Sequence, residues 1–377
     1  MLTQEQKDKW LEIMMNVSKP SESGLLNQNR IHSDVPSFMN CVIAYRPEHL
    51  EGLDAAFLGI PWEGWVGAGV GLFTTCGARD GDFKDDYELR TGTYEAPDYI
   101  RRWSYQYSAL LDPNVSFFPE VSDDFNMGSL IKVADYGNVE IKAYDPVASL
   151  NRAYMKASDI VKGGAIPLVF GGDHSIPHCV VKAISDNTQG KMGVIWYDRH
   201  YDNIYGGDLP YPDTEMSRPN PGNALYKMLD ECNIDPANVV MIGPGGGDTN
   251  IREMVDIMKM LGIKVFTISD VEEQGLKAIT EQAIEIAGKG TEKTYVTLDA
   301  DAMDPISFPA MRWPEPYALH ARDVKDSIAM ITANLDLAGF DICCMAPAYD
   351  THGIGGQAAA RFYIEILKQL ALKKQAK

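Results

Sequence analysis

Short apolar runs alternate with helix-length segments over most of this chain, from about residue 143 onward. Apolar runs stand at 166–170, 192–198, 238–243, 263–269, 294–299 and 340–345, and the stretch before each is long enough for a helix, including one predicted over 271–288. This alternation is typical of a mostly parallel sheet whose two faces are covered by helices. The sequence therefore predicts an α/β fold.

The domain organisation follows from the absence of any composition break. Residues 51–377 contain no internal repeat and no low-complexity tract, so they are predicted to form one domain. Residues 1–50 are predicted to form an N-terminal helix and an irregular arm. A Gly-rich, acidic stretch at 63–92 has no clear period and is long for a loop. Long loops are usually functional or disordered, and this one is a candidate lid over a site.

The charge balance restricts the partners. The net charge is −19 and the isoelectric point about 4.7, which disfavours nucleic acid and favours a cationic ligand or metal ions. No apolar window is long enough for a membrane span, and the N-terminus lacks an apolar signal core. The six cysteines have no framework spacing, which indicates a reducing cytoplasm.

Metal-binding side chains follow three of the apolar runs. In parallel sheets, ligands bind at the carboxyl ends of the strands. Alternate residues of an extended segment share one side, so the aspartates and histidines of each cluster can point together. Two imidazoles and four carboxylates are enough for two divalent ions, with Mn²⁺ favoured and Ni²⁺ or Zn²⁺ possible. The candidate ligands are His174, Asp198, His200, Asp202, Asp299 and Asp301.

Each motif alone has an ordinary structural explanation. "DRHYD" can be a solvated turn, "DAD" before a proline is usually turn chemistry, and "GGDHS" can start a helix. Their occurrence at three strand ends favours a metal site over three separate turns.

Three stretches resemble the signatures of the ureohydrolase superfamily, which includes arginases and agmatinases. They are "GGDHS" (171–175), "DRHYD" (198–202) and "TLDADAMDPISFPA" (297–310), and the segment 340–367 resembles the closing segment of agmatinases. The resemblance covers about 53–370. It implies a three-layer arginase-like fold, a catalytic domain over 51–377, a dinuclear site holding Ni²⁺ or Mn²⁺, and a trimer or hexamer.

The resemblance also implies a reaction. Two bridging metal ions lower the pKa of a shared water toward 7, so that it attacks a guanidino carbon and a C–N bond breaks. Asp301 resembles the family aspartate that binds metal and contacts the nucleophile, so it is the candidate for proton handling. His200 is assigned to the catalytic set with it, and Asp173 is expected to be a structural hydrogen-bonding partner.

Three positions depart from the family pattern. Arg199 replaces the usual alanine of "DAH" and is expected to point away from the ligands, into an ion pair. Pro221 stands where a proton-shuttling histidine is usual, and the chain has no histidine between 201 and 319. Cys344, in "DICCMAP", stands where a glutamate usually binds the substrate guanidinium.

These departures predict a small cationic guanidino substrate. Bulky residues follow the last metal motif, and Trp313 is a candidate pocket wall. Glu315 is a candidate replacement for the lost cation contact, while Cys344 and His352 complete the predicted substrate-binding set. Free guanidine, or an alkylated guanidine or biguanide such as metformin, fits this pocket better than arginine. In these features the chain resembles the guanidine hydrolase and metformin hydrolase branch of the superfamily.

Alternative functions stay open at this point. The chain could be an agmatinase or guanidinobutyrase in which His352 is the relocated proton shuttle. It could also be the non-catalytic subunit of a hetero-oligomer, although retention of all six ligands favours an enzyme. A deacetylase of similar fold is disfavoured, because those enzymes need different ligand spacing and paired histidines.

Overall fold

The computed structural model describes residues 6, 8–9, 37–64, 91–122, 124–142, 145–203, 220–245 and 252–376. Within these ranges, nine strands form one sheet. They are β1 (Val42–Ile43), β2 (Ala55–Gly59), β3 (Val133–Asn138), β4 (Ile166–Phe170), β5 (Met192–Tyr197), β6 (Ile234–Ile242), β7 (Lys264–Phe266), β8 (Lys293–Asp299) and β9 (Leu337–Cys343).

All neighbouring strands of this sheet run parallel, in the spatial order β1-β3-β2-β4-β9-β8-β5-β6-β7. Strands β2, β5 and β9 are buried along their whole length. A strand with no exposed residue must be covered on both faces, which is the usual state of parallel sheets. The predicted α/β fold with a mostly parallel sheet is confirmed.

Helices pack against both faces of the sheet. Across the described ranges they are α1 (Ala96–Ser104), α2 (Met127–Leu130), α3 (Pro146–Lys162), α4 (Ile176–Asn187), α5 (Ala224–Glu231), α6 (Arg252–Leu261), α7 (Ile268–Gln274), α8 (Leu276–Gly288), α9 (Ala321–Asn334) and α10 (Ile354–Gln375). Helices α3, α4 and α5 pack in one group, whereas α1, α10, α9 and α8 pack in another. No helix of the described ranges combines the length and apolarity needed to cross a membrane.

Short 3₁₀ segments connect many of these elements. They are Phe38–Asn40, Pro47–Leu50, Thr93–Glu95, Tyr105–Leu111, Pro221–Asn223, Ala300–Ala302 and Pro347–Tyr349.

Part of the predicted N-terminal arm packs with the sheet. Strand β1 pairs with β3, and Phe38 and Met39 are fully buried. The Phe38 backbone N–H donates to Asp135 Oδ2 at 2.8 Å, and Asp135 also forms a buried ion pair with Arg101. Residues 38–50 are therefore tied to the domain core, whereas most of 1–36 lies outside the described residues.

Two predicted elements differ from the structure. The helix expected over 271–288 is two helices, α7 and α8, because Gly275 adopts a positive φ of 82° between them. The strand expected over 263–269 stops at Phe266, because Thr267 caps α7 by a reciprocal pair of hydrogen bonds with Asp270. Residues 65–90 of the candidate lid lie outside the described residues.

Four central strands bring the predicted site together. Strands β4, β9, β8 and β5 are consecutive neighbours, and their carboxyl ends lie at one edge because all are parallel. The loop from β4 to α4 carries His174, the residues after β5 carry Asp198, and β8 ends at Asp299. The sheet order thus places three separate segments at one point.

Candidate metal centre

The structure brings all six predicted ligands into one cluster at this edge. Four of them are almost completely buried, and Asp202 and His200 are partly exposed. The ligand atoms form two groups, within each of which they lie no more than 4.8 Å apart. The first group is His174, Asp198, Asp202 and Asp299, and the second is Asp198, His200 and Asp301.

The first group surrounds one imidazole nitrogen. His174 Nδ1 lies 3.0 Å from Asp198 Oδ2 and 3.1 Å from Asp202 Oδ2. It also lies 3.1 Å from Asp299 Oδ2. Three carboxylate oxygens therefore converge on a single nitrogen, which in neutral imidazole can donate to no more than one of them.

The second group shares a carboxylate with the first. His200 Nδ1 lies 3.2 Å from Asp301 Oδ2 and 3.5 Å from Asp198 Oδ1. Asp198 therefore turns Oδ2 toward His174 and Oδ1 toward His200. One carboxylate that faces two groups of donors is suited to bridge two metal ions.

The hydrogen bonds of His174 show that its Nδ1 atom is suited to bind a cation. Its Nε2 lies 3.0 Å from Thr297 Oγ1, and the Thr297 hydroxyl donates to Asp341 Oδ1 at 2.6 Å. Because that hydroxyl proton is committed to Asp341, Thr297 accepts from His174 Nε2–H. The Nδ1 lone pair then faces the carboxylates, and a divalent ion between them would satisfy both. The residues fit a metal centre with an outer hydrogen-bonded shell.

The pKa shifts of the clustered side chains also indicate a site that favours bound cations. Burial and the Asp198 charge raise the pKa of Asp202 to about 7. Burial and the Asp299 charge raise the pKa of Asp301 well above its usual value. Burial lowers the pKa of His174, but Asp299 and the other carboxylates outweigh it and raise that pKa strongly. Four carboxylates this close need positive charge, which divalent metal ions would supply.

Local hydrogen bonds fix the carboxylates. The Trp196 Nε1–H donates to Asp198 Oδ2 at 2.8 Å, and the His200 backbone N–H donates to Asp198 Oδ1 at 2.7 Å. The Asp301 backbone N–H donates to Asp299 Oδ1 at 2.9 Å. The alternating D-x-H and D-x-D spacings therefore let each first aspartate hold the backbone of the next ligand.

Asp173 has the hydrogen bonds expected of a structural residue. Its Oδ1 accepts from the Ser175 hydroxyl at 2.5 Å, and its Oδ2 accepts from the Gly64 backbone N–H at 2.8 Å. The side chain is fully buried. It thereby ties the loop that carries His174 to the residues that follow β2.

The predicted substrate-binding residues occupy different places. The half-buried Trp313 meets the His200 ring edge to face, with ring centroids 6.0 Å apart. Glu315 accepts from Arg199 Nε at 2.6 Å, and its other oxygen lies 3.7 Å from His200 Nε2. The expected ion pair of Arg199 is therefore present, and Glu315 is its partner.

Cys344 and His352 complete that set. Cys344 is buried with a φ of 58°, and its backbone N–H donates to Gly172 O at 2.7 Å. Burial and the charges of Asp299 and Asp301 raise the pKa of its thiol, so it stays protonated beside the cluster. His352 is exposed in the turn before α10, and no hydrogen bond or ion pair of the described residues joins it to the ligands.

Two residues that support the ligand His174 through hydrogen bonds were not predicted from the sequence. Thr297 and Asp341 face each other across β8 and β9, where they are register partners. Asp341 also accepts from Tyr295 Oη at 2.5 Å. The signal for Asp341 was a single carboxylate inside the apolar run "FDICCM", since a buried charge needs partners. Thr297 carried no distinct signal.

Known proteins similar to this chain share its family and fold. The arginase family profile matches residues 82–368. An agmatinase from Chromobacterium violaceum is 27% identical over 87% of this chain and 87% of its own length. The crystal structure of a hypothetical agmatinase from Burkholderia thailandensis superposes with a TM-score of 0.71 at 24% identity, covering 92% of both chains.

A further solved structure resembles the fold and was determined with manganese. It is the formiminoglutamase of Trypanosoma cruzi with Mn²⁺, with a TM-score of 0.69 at 18% identity. The alignment covers 90% of this chain and 99% of that one. The family profile spans most of the chain and includes the three-motif cluster. The chain therefore belongs to the arginase family and is a hydrolase of C–N bonds in guanidino compounds.

Proposed function

We propose that this chain is a dinuclear metal-dependent hydrolase of a small guanidino compound, either free guanidine or an alkylated guanidine or biguanide such as metformin. The observation that carries the dinuclear part is the position of Asp198. Its two oxygens face two separate groups of ligand atoms, and each group contains one histidine. Two divalent ions, Ni²⁺ or Mn²⁺, fit these donors.

The ions, when bound, lower the pKa of a bound water toward neutrality and act as Lewis acids. The protein then has to orient the substrate and move a proton. Asp301 is our candidate for proton handling, because its Oδ2 lies beside His200 and its Oδ1 accepts from the Arg199 backbone N–H at 3.3 Å. It thus belongs to the second group of the ligand cluster.

The substrate is proposed to be small because of what borders the cluster. Cys344, whose protonated thiol cannot pair with a guanidinium as a carboxylate would, lies beside Asp299 and Asp301. Trp313 stands at a right angle to the His200 ring and is the candidate pocket wall on that side. A compact cation that pairs with the negative cluster fits this arrangement better than a long substrate that needs a second charged side chain to bind it.

The metal identity and the assembly are parts of the same proposal. The ligand set accepts both Ni²⁺ and Mn²⁺, and the acidic chain would attract either cation. A trimer or hexamer, built from one chain type or two, is proposed from the resemblance and is measurable by light scattering. The cytoplasmic location stays a prediction.

A substrate panel tests the proposed reaction. Protein purified from Mn- or Ni-supplemented cells is assayed for released ammonia or amine with guanidine, dimethylbiguanide, agmatine and arginine. We expect saturable turnover of guanidine or dimethylbiguanide, lost in the Asp301→Asn variant. Turnover of agmatine or arginine without activity on the small compounds would replace this proposal with an agmatinase or arginase function.

A further inference from the structure

Arg199, which departs from the family pattern, lies against Glu315. Arg199 and Glu315 are 116 positions apart, and Arg199 Nε donates to Glu315 Oε2 at 2.6 Å. Their side chains are only 9% and 18% exposed, so the ion pair is partly shielded from water. A charged pair at this depth is costly unless its geometry is good, so its position beside the metal centre needs an explanation.

The second oxygen of Glu315 faces the metal-ligand histidine. Glu315 Oε1 lies 3.7 Å from His200 Nε2, a buried nitrogen that has no hydrogen-bond partner among the described residues. The other ring nitrogen, Nδ1, points to the cluster, 3.2 Å from Asp301 Oδ2. Metal-ligating histidines usually direct their second N–H to a carboxylate or carbonyl, which fixes the tautomer and the ring orientation.

The backbone around Arg199 leaves room for this pair. A Cβ atom at Gly245 would lie 2.2 Å from Arg199 Nη1 and 2.4 Å from its Cζ. Any side chain there would therefore force the Arg199 guanidinium to move from its present position beside Glu315. The Arg199 backbone N–H, in turn, points to Asp301 Oδ1 at 3.3 Å. Arg199 thus contacts the ligand Asp301 through its backbone and Glu315 through its side chain.

We propose that Glu315 is a positioning residue for His200 and that Arg199 holds Glu315 in place. Glu315 keeps the His200 proton on Nε2, which leaves the Nδ1 lone pair for the metal ion of the second group. This role differs from a direct contact with substrate. The inference rests on the proposed dinuclear centre and names how this chain supports one of its two ions.

The test measures metal binding, which needs no substrate. Mn²⁺ is titrated into metal-free protein by calorimetry, and electron paramagnetic resonance separates coupled pairs from single ions. In Glu315→Gln we expect one ion to bind about 10- to 100-fold more weakly, while the other keeps its affinity. Arg199→Met and Gly245→Ala should weaken the same ion, because both remove the support of Glu315.

A matched control uses another carboxylate beside a histidine. Glu231 Oε2 lies 3.0 Å from His178 Nε2, away from the ligand cluster, so Glu231→Gln should leave both affinities unchanged. The thermal midpoint of each metal-free variant shows whether its fold is intact. A Glu315→Gln variant that is folded and binds both ions like wild type would overturn this inference alone. Wild-type protein that binds fewer than two ions would overturn the proposed function as well.

Discussion

His174 Nε2 lies 3.0 Å from Thr297 Oγ1, although the two residues are 123 positions apart and come from different strand ends. The Thr297 hydroxyl in turn donates a hydrogen bond to the buried Asp341, so the three side chains form a hydrogen-bonded relay. This relay fixes which nitrogen of His174 is protonated, and so decides whether the other one can bind a metal ion. The ligand cluster therefore depends on two residues that are not themselves ligands.

Removal of the Thr297 hydroxyl should weaken metal binding. Thr297→Val keeps the shape but leaves His174 Nε2–H and Asp341 without their shared partner. We expect Mn²⁺ affinity to fall about 10- to 100-fold, measured by competition with a chromophoric chelator. Thr332→Val is the matched control, because its buried hydroxyl donates only to Ile328 O within α9. Equal Mn²⁺ affinities in the two variants would show that the Thr297 hydroxyl does not support metal binding by His174.

Replacement of Asp198 should remove more metal than replacement of Asp202. Asp198 belongs to both ligand groups, whereas Asp202 belongs to one. Asp198→Asn should therefore lose both ions and reduce turnover by more than about 100-fold. This loss exceeds the roughly 10- to 100-fold effect that is usual for a residue that only hydrogen-bonds to a metal ligand. Asp202→Asn should retain the ion of the second group. Mass spectrometry of the metal content checks this, and full metal content in Asp198→Asn would refute the bridging role.

Metal binding should stabilise the folded chain. Any ligand that binds only the native state adds RT ln(1 + [L]/Kd), which is about 4 kcal/mol at a thousandfold excess over Kd. The thermal midpoint should therefore rise steadily with Mn²⁺ and fall when a chelator is added. Asp198→Asn should show no such rise. A wild-type midpoint that is independent of Mn²⁺ and Ni²⁺ would argue against a metal site.

The buried ion pair between Arg101 and Asp135 should matter for stability. Arg101 Nε and Nη2 donate to Asp135 at 2.7 and 2.8 Å, and both side chains are nearly inaccessible. Arg101→Met leaves the carboxylate unpaired and should lower the free energy of unfolding by about 3–5 kcal/mol, measured by urea denaturation. Lys182→Ala removes an exposed helical pair with Asp186 and should cost about 0.3–0.5 kcal/mol. Similar losses in both variants would contradict the assigned burial.

The sequence alone could predict the ligands because each set is local. Asp198, His200 and Asp202 lie on alternate residues at a strand end, and the alternation of helices and strands implied that such ends converge. Parallel order along the sheet then brought His174 to the same edge. The alternation of helices and strands, and the parallel sheet that it indicates, were therefore enough to predict most of the ligands.

The supporting contacts could not be predicted in this way. The pairs Thr297–Asp341 and Arg199–Glu315 join residues that are 44 and 116 positions apart. Which strand neighbours β8, and how the loop after it folds back, depend on tertiary packing rather than on local spacing. The break at Gly275 was missed for a different reason, because one glycine within a helical pattern does not by itself show a positive φ.

The metal stoichiometry of the wild-type chain tests the central claim most directly. Protein purified from cells supplied with Mn²⁺ and Ni²⁺ is dialysed, and its metal content per chain is measured by plasma mass spectrometry. Two groups of ligand atoms that share Asp198 predict two divalent ions per chain. A value of one or zero in folded protein would contradict a dinuclear centre.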